Sequence, residues 1–546
     1  MGHPLFRVAV ESARLAVNMR KLIALLPLTL VVALSAATSV ISEGQQQLAA
    51  RHDHTGHPRD TEIHDADTRA WWHTTEALSG DDMEGRDTGS AAYQRAAEYV
   101  AGRFQRAGLA PAGEDHSYFQ PVRVHEVAVG AAGTSFTLLR EKGGSLPIAF
   151  LEQITVNPAA NLPVETEAGL TFRGYCGKEA MQEIAGKIVV CFGTQRQGLP
   201  TGAERVANAR AGGAKGLINV DDPYFTIEPP RWPAAYARSV VLDSGAAPAA
   251  GAPLLVMRVS VEVFTRMLEG TGKDAAAVLA AGGHKQALES FDIPARLAVK
   301  LHLTERRYAS PNVLGVLPGS DPKLKDEYVV VAAHLDGYGY GTPVAGDRLY
   351  NGALDDAAYV ALLIQFAEDL RREHRTLKRS VLFCAFTGEE KGLLGANYFV
   401  EHPTVPKAQL AADINLDQLR PLFPLHILTA LALDETTLGA TARQVAGPMG
   451  IELRADREPE RGLVRRADHA PFLRIGVPAI GFIFGYDPGT EAERRYREWY
   501  QVRYHRPQDD LTQPMDFDAA TKFNQFFYRL AEAVAEAPVR PAFVSR

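Results

Sequence analysis

Apolar residues along the chain fall into two regimes. Residues 119–292 carry short β-like runs, TSFTLL, GKIVVCF, KGLINV, RSVVL and APLLVMRVSV. Among them lies one short helix, ERVANARAGG, which stops at paired glycines as helix ends commonly do. From 293 to 541, strand runs alternate with helical periodicity, the pattern of a mostly parallel, doubly wound α/β sheet. Here YVVVAAH, SVLFCAF and DINLD read as strands and AAYVALLIQFAEDL as a helix. A last helix is expected from Asp518 to Ala535, with Phe523, Phe526, Phe527, Leu530 and Val534 on one face. Ahead of both regimes, residues 69–118 hold a turn-rich loop, DDMEGRDTGS, and a helix with apolar Ala97, Tyr99, Val100, Phe104 and Leu109. One helix cannot form a domain, so this segment is expected to pack on the later one.

Length and composition narrow the reading. At 546 residues the chain exceeds a single core. A hydrophobic share of 46% and a charged share of 23% exclude a mostly disordered or multi-span membrane chain. A net charge of -7 without a basic stripe gives no sign of a nucleic-acid partner. The three cysteines form no disulfide framework: Cys384 reads as core, while Cys176 and Cys191 either pair in an oxidising compartment or remain buried thiols. Met19-Arg20-Lys21 ahead of LIALLPLTLVVALSAATSV has the order of a secretory signal. Residues 1–40 are therefore expected to be a signal peptide, with translation starting at Met19 and cleavage near Ala36 or Ala37. The product would be exported, periplasmic or extracellular, with no stable membrane association; an uncleaved anchor is the rival reading. Residues 41–68 read as a flexible linker, although His52, His54, His57 and His64 also suit a metal-loading tract.

Six residues carry candidate chemistry: His334, Asp355, Glu389, Glu390, Asp417 and His505. His334, both glutamates and Asp417 end apolar runs, and ligands of parallel α/β sheets gather at strand carboxyl ends. Zinc takes imidazole nitrogens and carboxylate oxygens, and a catalytic ion keeps one position open. Two metals about 3.5–4 Å apart need a bridging carboxylate. Asp355 suits this because it opens a helix, whose amino end favours an anion. One metal would take His334, Asp355 and Asp417, and the other Asp355, Glu390 and His505. Glu389, adjacent to a ligand, would act as general base. Asp336 is placed to accept a hydrogen bond from His334 and fix its tautomer. Singly, each of these residues also reads as a loop, cap or solvated turn.

With these residues in place, the chain resembles metallopeptidase family 28, dizinc exopeptidases of aminopeptidase and glutamate carboxypeptidase type. The resemblance runs through AAHLDG, NGALDDA, FTGEEKGLLGANYF, DINLD, RRADHAPFLRIGVPAI and YHRPQDDL, and reaches back to MEGRDTGS. The middle module, 119–292, looks like a protease-associated domain inserted ahead of the catalytic domain, 293–541. The resemblance implies two zinc ions on the residues named, Glu389 as base, and removal of terminal residues from peptides. His469, after Asp468, matches a family position near the substrate pocket. Tyr486 and Tyr504 are candidates for stabilising an oxyanion, with core packing as the alternative. Two departures stand out: Ala358-Tyr359 after the bridging acid, and Gln418-Leu419-Arg420-Pro421 after Asp417.

The leading expectation is a zinc aminopeptidase. A carboxypeptidase on small or acidic peptides would need a basic cluster, for which Arg420, Arg465, Arg466 and Arg503 are candidates. A single-zinc glutaminyl-cyclase-like transferase and a silent receptor-like scaffold are further alternatives; the full ligand set argues against both.

Overall fold

A computed structural model describes residues 57–193, 198–245, 253–417 and 419–544. The expected signal peptide, His52 and His54 lie outside these residues. The described residues divide into two units between Glu62 and Ile63. Of the first, the described part is a short turn closed by Arg59 and Glu62 at 2.8 Å. In the second, helix Ala66–Ser79 begins ahead of residue 68, where a linker was expected to end. Asp65 caps it, accepting from Thr68 N at 2.8 Å, so the ordered chain starts earlier than composition implies.

The half of the sheet that carries the candidate residues runs in the order Glu452–Ala455, Ile427–Leu431, Ala479–Phe484, Leu410–Asn415, Tyr328–His334, Ser380–Phe386 and Phe291–Leu317. Tyr328–His334 sits at its centre, parallel to neighbours on both sides. Its alternation shows why the sheet is covered twice. Val329, Val331 and Ala333 pack into one apolar cluster, with helices Ala91–Arg106, Ala358–Arg372 and Phe517–Glu536. Val330 and Ala332 enter another, with Phe399 and Phe472. Successive side chains on a strand point to opposite faces, so a run apolar throughout is buried on both. Cys384 is buried in the second cluster as a free thiol. The fold is therefore a mixed, mostly parallel α/β sheet with helices on both faces.

Two long strands, Phe119–Arg140 and Phe291–Leu317, pair antiparallel and carry the sheet out of this half into the middle module. There Glu165–Phe172, Ile188–Phe192, Gly216–Val220 and Leu255–Val259 run parallel to one another. The module has its own apolar core, in which Phe172, Ile188, Ile218, Leu255 and Phe264 are buried. Cys176 and Cys191 are joined as a disulfide beside it.

Where helices Ala66–Ser79, Ala358–Arg372 and Phe517–Glu536 meet, Gln365 Nε2 donates to both Asp67 and Asp369, at 2.6 and 3.1 Å. Tyr528 donates to Asp67 at 3.0 Å. Burial, and then the Asp67 carboxylate, push Asp369 up to about 7, against the pull of Arg372. An unfolded aspartate titrates near about 3.9. Between these values the folded chain binds more protons than the unfolded one, so this group's contribution to stability falls as pH rises and is lowest above pH 7. Asp369→Asn is expected to remove that slope. The Tm of the variant minus that of wild type should be more positive at pH 8 than at pH 5; an unchanged difference would count against the assignment.

Candidate metal centre

His334 is the last residue of the central strand, and Glu389 and Glu390 follow strand Ser380–Phe386. Asp417 lies two residues beyond strand Leu410–Asn415. His505 sits in the turn after helix Glu491–Val502, with φ of 55°. Asp355 differs from expectation. The regular helix starts only at Ala358, and Asp355 and Asp356 have non-helical backbones. Asp355 is thus held ahead of the helix: its N–H donates to Asp509 Oδ2, and Leu354 N donates to Asp509 Oδ1, each at 3.0 Å.

Three overlapping groups result: His334 with Asp355 and Asp417, Asp355 with Glu390 and His505, and His334 with Glu389 and Glu390. In each group one potential ligand atom per residue lies within 4.8 Å of the others. Asp355 belongs to the first two. Its Oδ1 is 3.3 Å from His334 Nε2, and its Oδ2 is 3.5 Å from His505 Nε2. Asp355 Oδ2 is buried without a hydrogen-bond partner. Glu390 Oε2 lies 3.2 Å from His505 Nε2, and Glu389 Oε2 lies 3.8 Å from His334 Nε2.

The electrostatics are those of crowded acids. Burial, and then neighbours including Asp417 and Glu390, hold the Glu389 carboxyl well above the usual range. Burial and Asp355 do the same to Glu390. Asp355 goes the other way: against the upward push of burial, Arg420, His334 and His505 hold it well below. Burial would lower His334, but Asp356, Glu389, Asp355 and Asp417 raise it well above the ordinary imidazole value. His505 is driven well below it, by burial first and then, against Asp355, by Arg231, Arg466 and Arg420.

Several residues are placed differently from the sequence-based expectation. Asp336 does not orient His334 through its carboxylate, whose Oδ1 is 3.7 Å from Nδ1. The Asp336 backbone carbonyl takes that contact at 3.0 Å. Its carboxylate instead accepts from Glu389 N at 3.0 Å and Thr88 Oγ1 at 2.8 Å, so it fixes the glutamate loop. Tyr486 donates to Glu458 at 3.2 Å and packs on Tyr496. His469 is buried against Gly481 and held at about 4 by burial; it joins no such group among the described residues. Its neighbour Asp468 does feel the centre: burial and the Asp417 and Asp336 carboxylates raise it to about 8, against His334. Tyr504 is buried with its ring 3.7 Å from that of His505.

Of the candidate arginines, Arg420 is fully buried, with Nη1 on the Leu354 carbonyl at 3.1 Å and Nη2 3.5 Å from Asp355 Oδ2. Arg466 pairs with Glu228 at 2.8 Å, Arg503 donates to the Gln508 carbonyl at 2.6 Å, and Arg465 is exposed. Two residues that the sequence pattern does not single out also serve the centre. Tyr338 meets His505 Nδ1 through its hydroxyl at 2.8 Å, and Asp509 holds the backbone at Asp355. Tyr338 has no local signal, whereas Asp509 lies four residues after His505 within YHRPQDDL, close enough to mark it as a candidate.

Fold and cluster together define a doubly wound α/β protein with a cluster of acids and histidines that could hold metal at the carboxyl edge of its sheet. The family model for peptidase family M28 matches residues 312–531 of this chain. The chain is 27% identical over 267 residues to a probable zinc metalloprotease of Pyrenophora tritici-repentis (strain Pt-1C-BFP), covering 42% of this chain and 58% of that protein. It is 24% identical over 277 residues to a glutamate carboxypeptidase 2 homolog of Caenorhabditis elegans, covering 45% and 33%. The chain therefore spans less than two thirds of either relative's length. The aminopeptidase from Aneurinibacillus sp. strain AM-1 shares the fold, with a TM-score of 0.58 at 18% identity, covering 87% of this chain and 95% of that one.

Proposed function

We propose that this chain is an exported dizinc exopeptidase that removes residues from the amino ends of peptides. The observation that carries the reading is the pair of three-residue groups sharing Asp355. The donor set suits zinc: histidine nitrogens and carboxylate oxygens, three per position, leave each ion an open site. The buried Asp355 Oδ2, which accepts no hydrogen bond, and the mutual repulsion of the carboxylates are what bound cations would relieve. His334, Asp355 and Asp417 would hold one ion, and Asp355, Glu390 and His505 the other. When bound, zinc polarises the scissile carbonyl and lowers the pKa of a water.

The chain's own residues do the rest. Glu389 takes the proton of the attacking water and delivers it to the leaving amine, as a general base and then acid. Asp336 and Thr88 fix its loop. Tyr338 and the Asp336 carbonyl orient the two imidazoles, and Asp509 holds the backbone of Asp355. Amino-end cleavage is favoured because three of the four candidate arginines, Arg420, Arg466 and Arg503, are already engaged, which leaves only Arg465 of that basic cluster for a terminal carboxylate.

Among the described residues no helix is long and apolar enough to cross a membrane. The Cys176–Cys191 disulfide supports export to an oxidising compartment. A panel of peptides with free and acetylated amino ends tests the reading. Residues should be lost only from free amino ends; trimming of acetylated peptides from the other end would overturn it.

A further inference from the structure

The turn that carries His505 is gripped by a strap from the middle module. The strap, residues 231–236, touches two residues of the turn, Tyr504 and Arg506, and reaches His505 between them through Tyr338. Arg231 lies over the Tyr504 ring, 4.5 Å from its centroid. The Trp232 and Pro233 carbonyls accept from Arg506 Nη2 and Nη1 at 3.1 and 2.7 Å. Tyr236 stacks on Tyr338 with centroids 5.4 Å apart, and Tyr338 in turn contacts His505 through its hydroxyl and its ring, with centroids 4.6 Å apart. Lys391, next to Glu390, donates to the Tyr236 hydroxyl at 2.7 Å.

The strap is itself anchored in the module. Trp232 Nε1 donates to Asp221 at 2.6 Å, and Arg258 donates to the Arg231 carbonyl at 3.0 Å. His505 needs such support. Its φ of 55° is one that side-chain-bearing residues rarely adopt, and such conformations persist only where surroundings over-determine them. These contacts end on Tyr504, Arg506, Tyr338 and Lys391 rather than on His334 or Asp417 themselves.

We propose that the strap positions His505, so that the middle module governs occupancy of the metal position built on Asp355, Glu390 and His505 and leaves the one built on His334, Asp355 and Asp417 alone. This rests on the ligand set proposed above. Tyr236 and Arg506 are positioning residues in this scheme. Groups that orient a metal-bound histidine typically contribute about 10–100-fold to metal affinity.

The test is equilibrium dialysis of the full chain against graded zinc buffers, with zinc per chain read at each step. His505→Ala identifies the step that belongs to the strap-supported position. Tyr236→Leu removes the ring stack. Arg506→Lys keeps the charge but loses the two-carbonyl grip, and serves if the first variant does not fold. Each should weaken the His505 step by about tenfold or more and shift the other less than about twofold. Tyr236→Phe, which keeps the ring, should stay close to wild type. An unmoved His505 step, or equal weakening of both steps, overturns the proposal. A wild-type chain that binds no zinc would instead remove the dizinc reading on which it stands.

Discussion

Replacing Glu389 by glutamine is expected to leave zinc content unchanged and to lower kcat by about 10²–10⁴-fold. Glutamine keeps the length and hydrogen-bonding reach of glutamate but cannot accept a proton from water. The glutamate loop should survive the change, because it is held through the Glu389 N–H by Asp336 rather than through the side chain. Zinc should survive because the two groups that share Asp355 do not use Glu389. Glu389 also falls in a third group with His334 and Glu390, so the variant separates a base from a ligand. Loss of about one zinc per chain would make Glu389 a ligand, and unchanged kcat would remove it from the proton path.

Asp355→Ala is expected to release both zincs and abolish activity. As a bridging carboxylate Asp355 would serve both ions and supply negative charge between them. The structure adds a second reason. Arg420 Nη2, fully buried 3.5 Å from Asp355 Oδ2, would be left facing the metal position without its acid. A buried cation that loses its partner is strongly destabilising, typically by about 3–5 kcal/mol. The variant should therefore also melt lower than wild type when both are compared without zinc. Retention of two zincs would refute the bridging role. An unchanged zinc-free Tm would refute the part assigned to Arg420.

Strand ends are the readable part of the centre. Runs such as YVVVAAH are apolar throughout because both faces are covered, and the polar residue that ends each run can lie only at the sheet's edge. That places His334, Glu389, Glu390 and Asp417 at the edge, and only their occurrence together makes them candidates. His505 lies in a loop, where burial pattern gives no guidance, and rests on the resemblance around YHRPQDDL. Asp355 is legible as a residue, but its setting is not. Helical periodicity in AAYVALLIQFAEDL does not mark where the first turn closes, and the helix begins only at Ala358. Asp336 shows the same limit at atomic scale: spacing puts a carboxylate near His334, while the fold turns the carbonyl toward the ring instead.

The strap is unreadable for a different reason. Nothing local in residues 231–236 signals contact with a turn 270 residues later, where Arg506 and Trp232 meet at 274 residues' separation. The long pair Phe119–Arg140 and Phe291–Leu317 makes that meeting possible by carrying one continuous sheet out into the middle module. Tyr338 is silent in the sequence for the same reason, because its hydroxyl meets His505 across 167 residues. The departures at Tyr359 and Arg420 are visible in sequence, but only packing shows that Arg420 sits against the bridging acid.

The central claim is a pair of zinc ions joined by Asp355. Anomalous diffraction at the zinc edge from crystals of the full chain tests it most directly. Two peaks about 3.5–4 Å apart are expected, with an Asp355 oxygen on each, His334 and Asp417 at one and Glu390 and His505 at the other. A single peak, or two peaks that do not share Asp355, would contradict it.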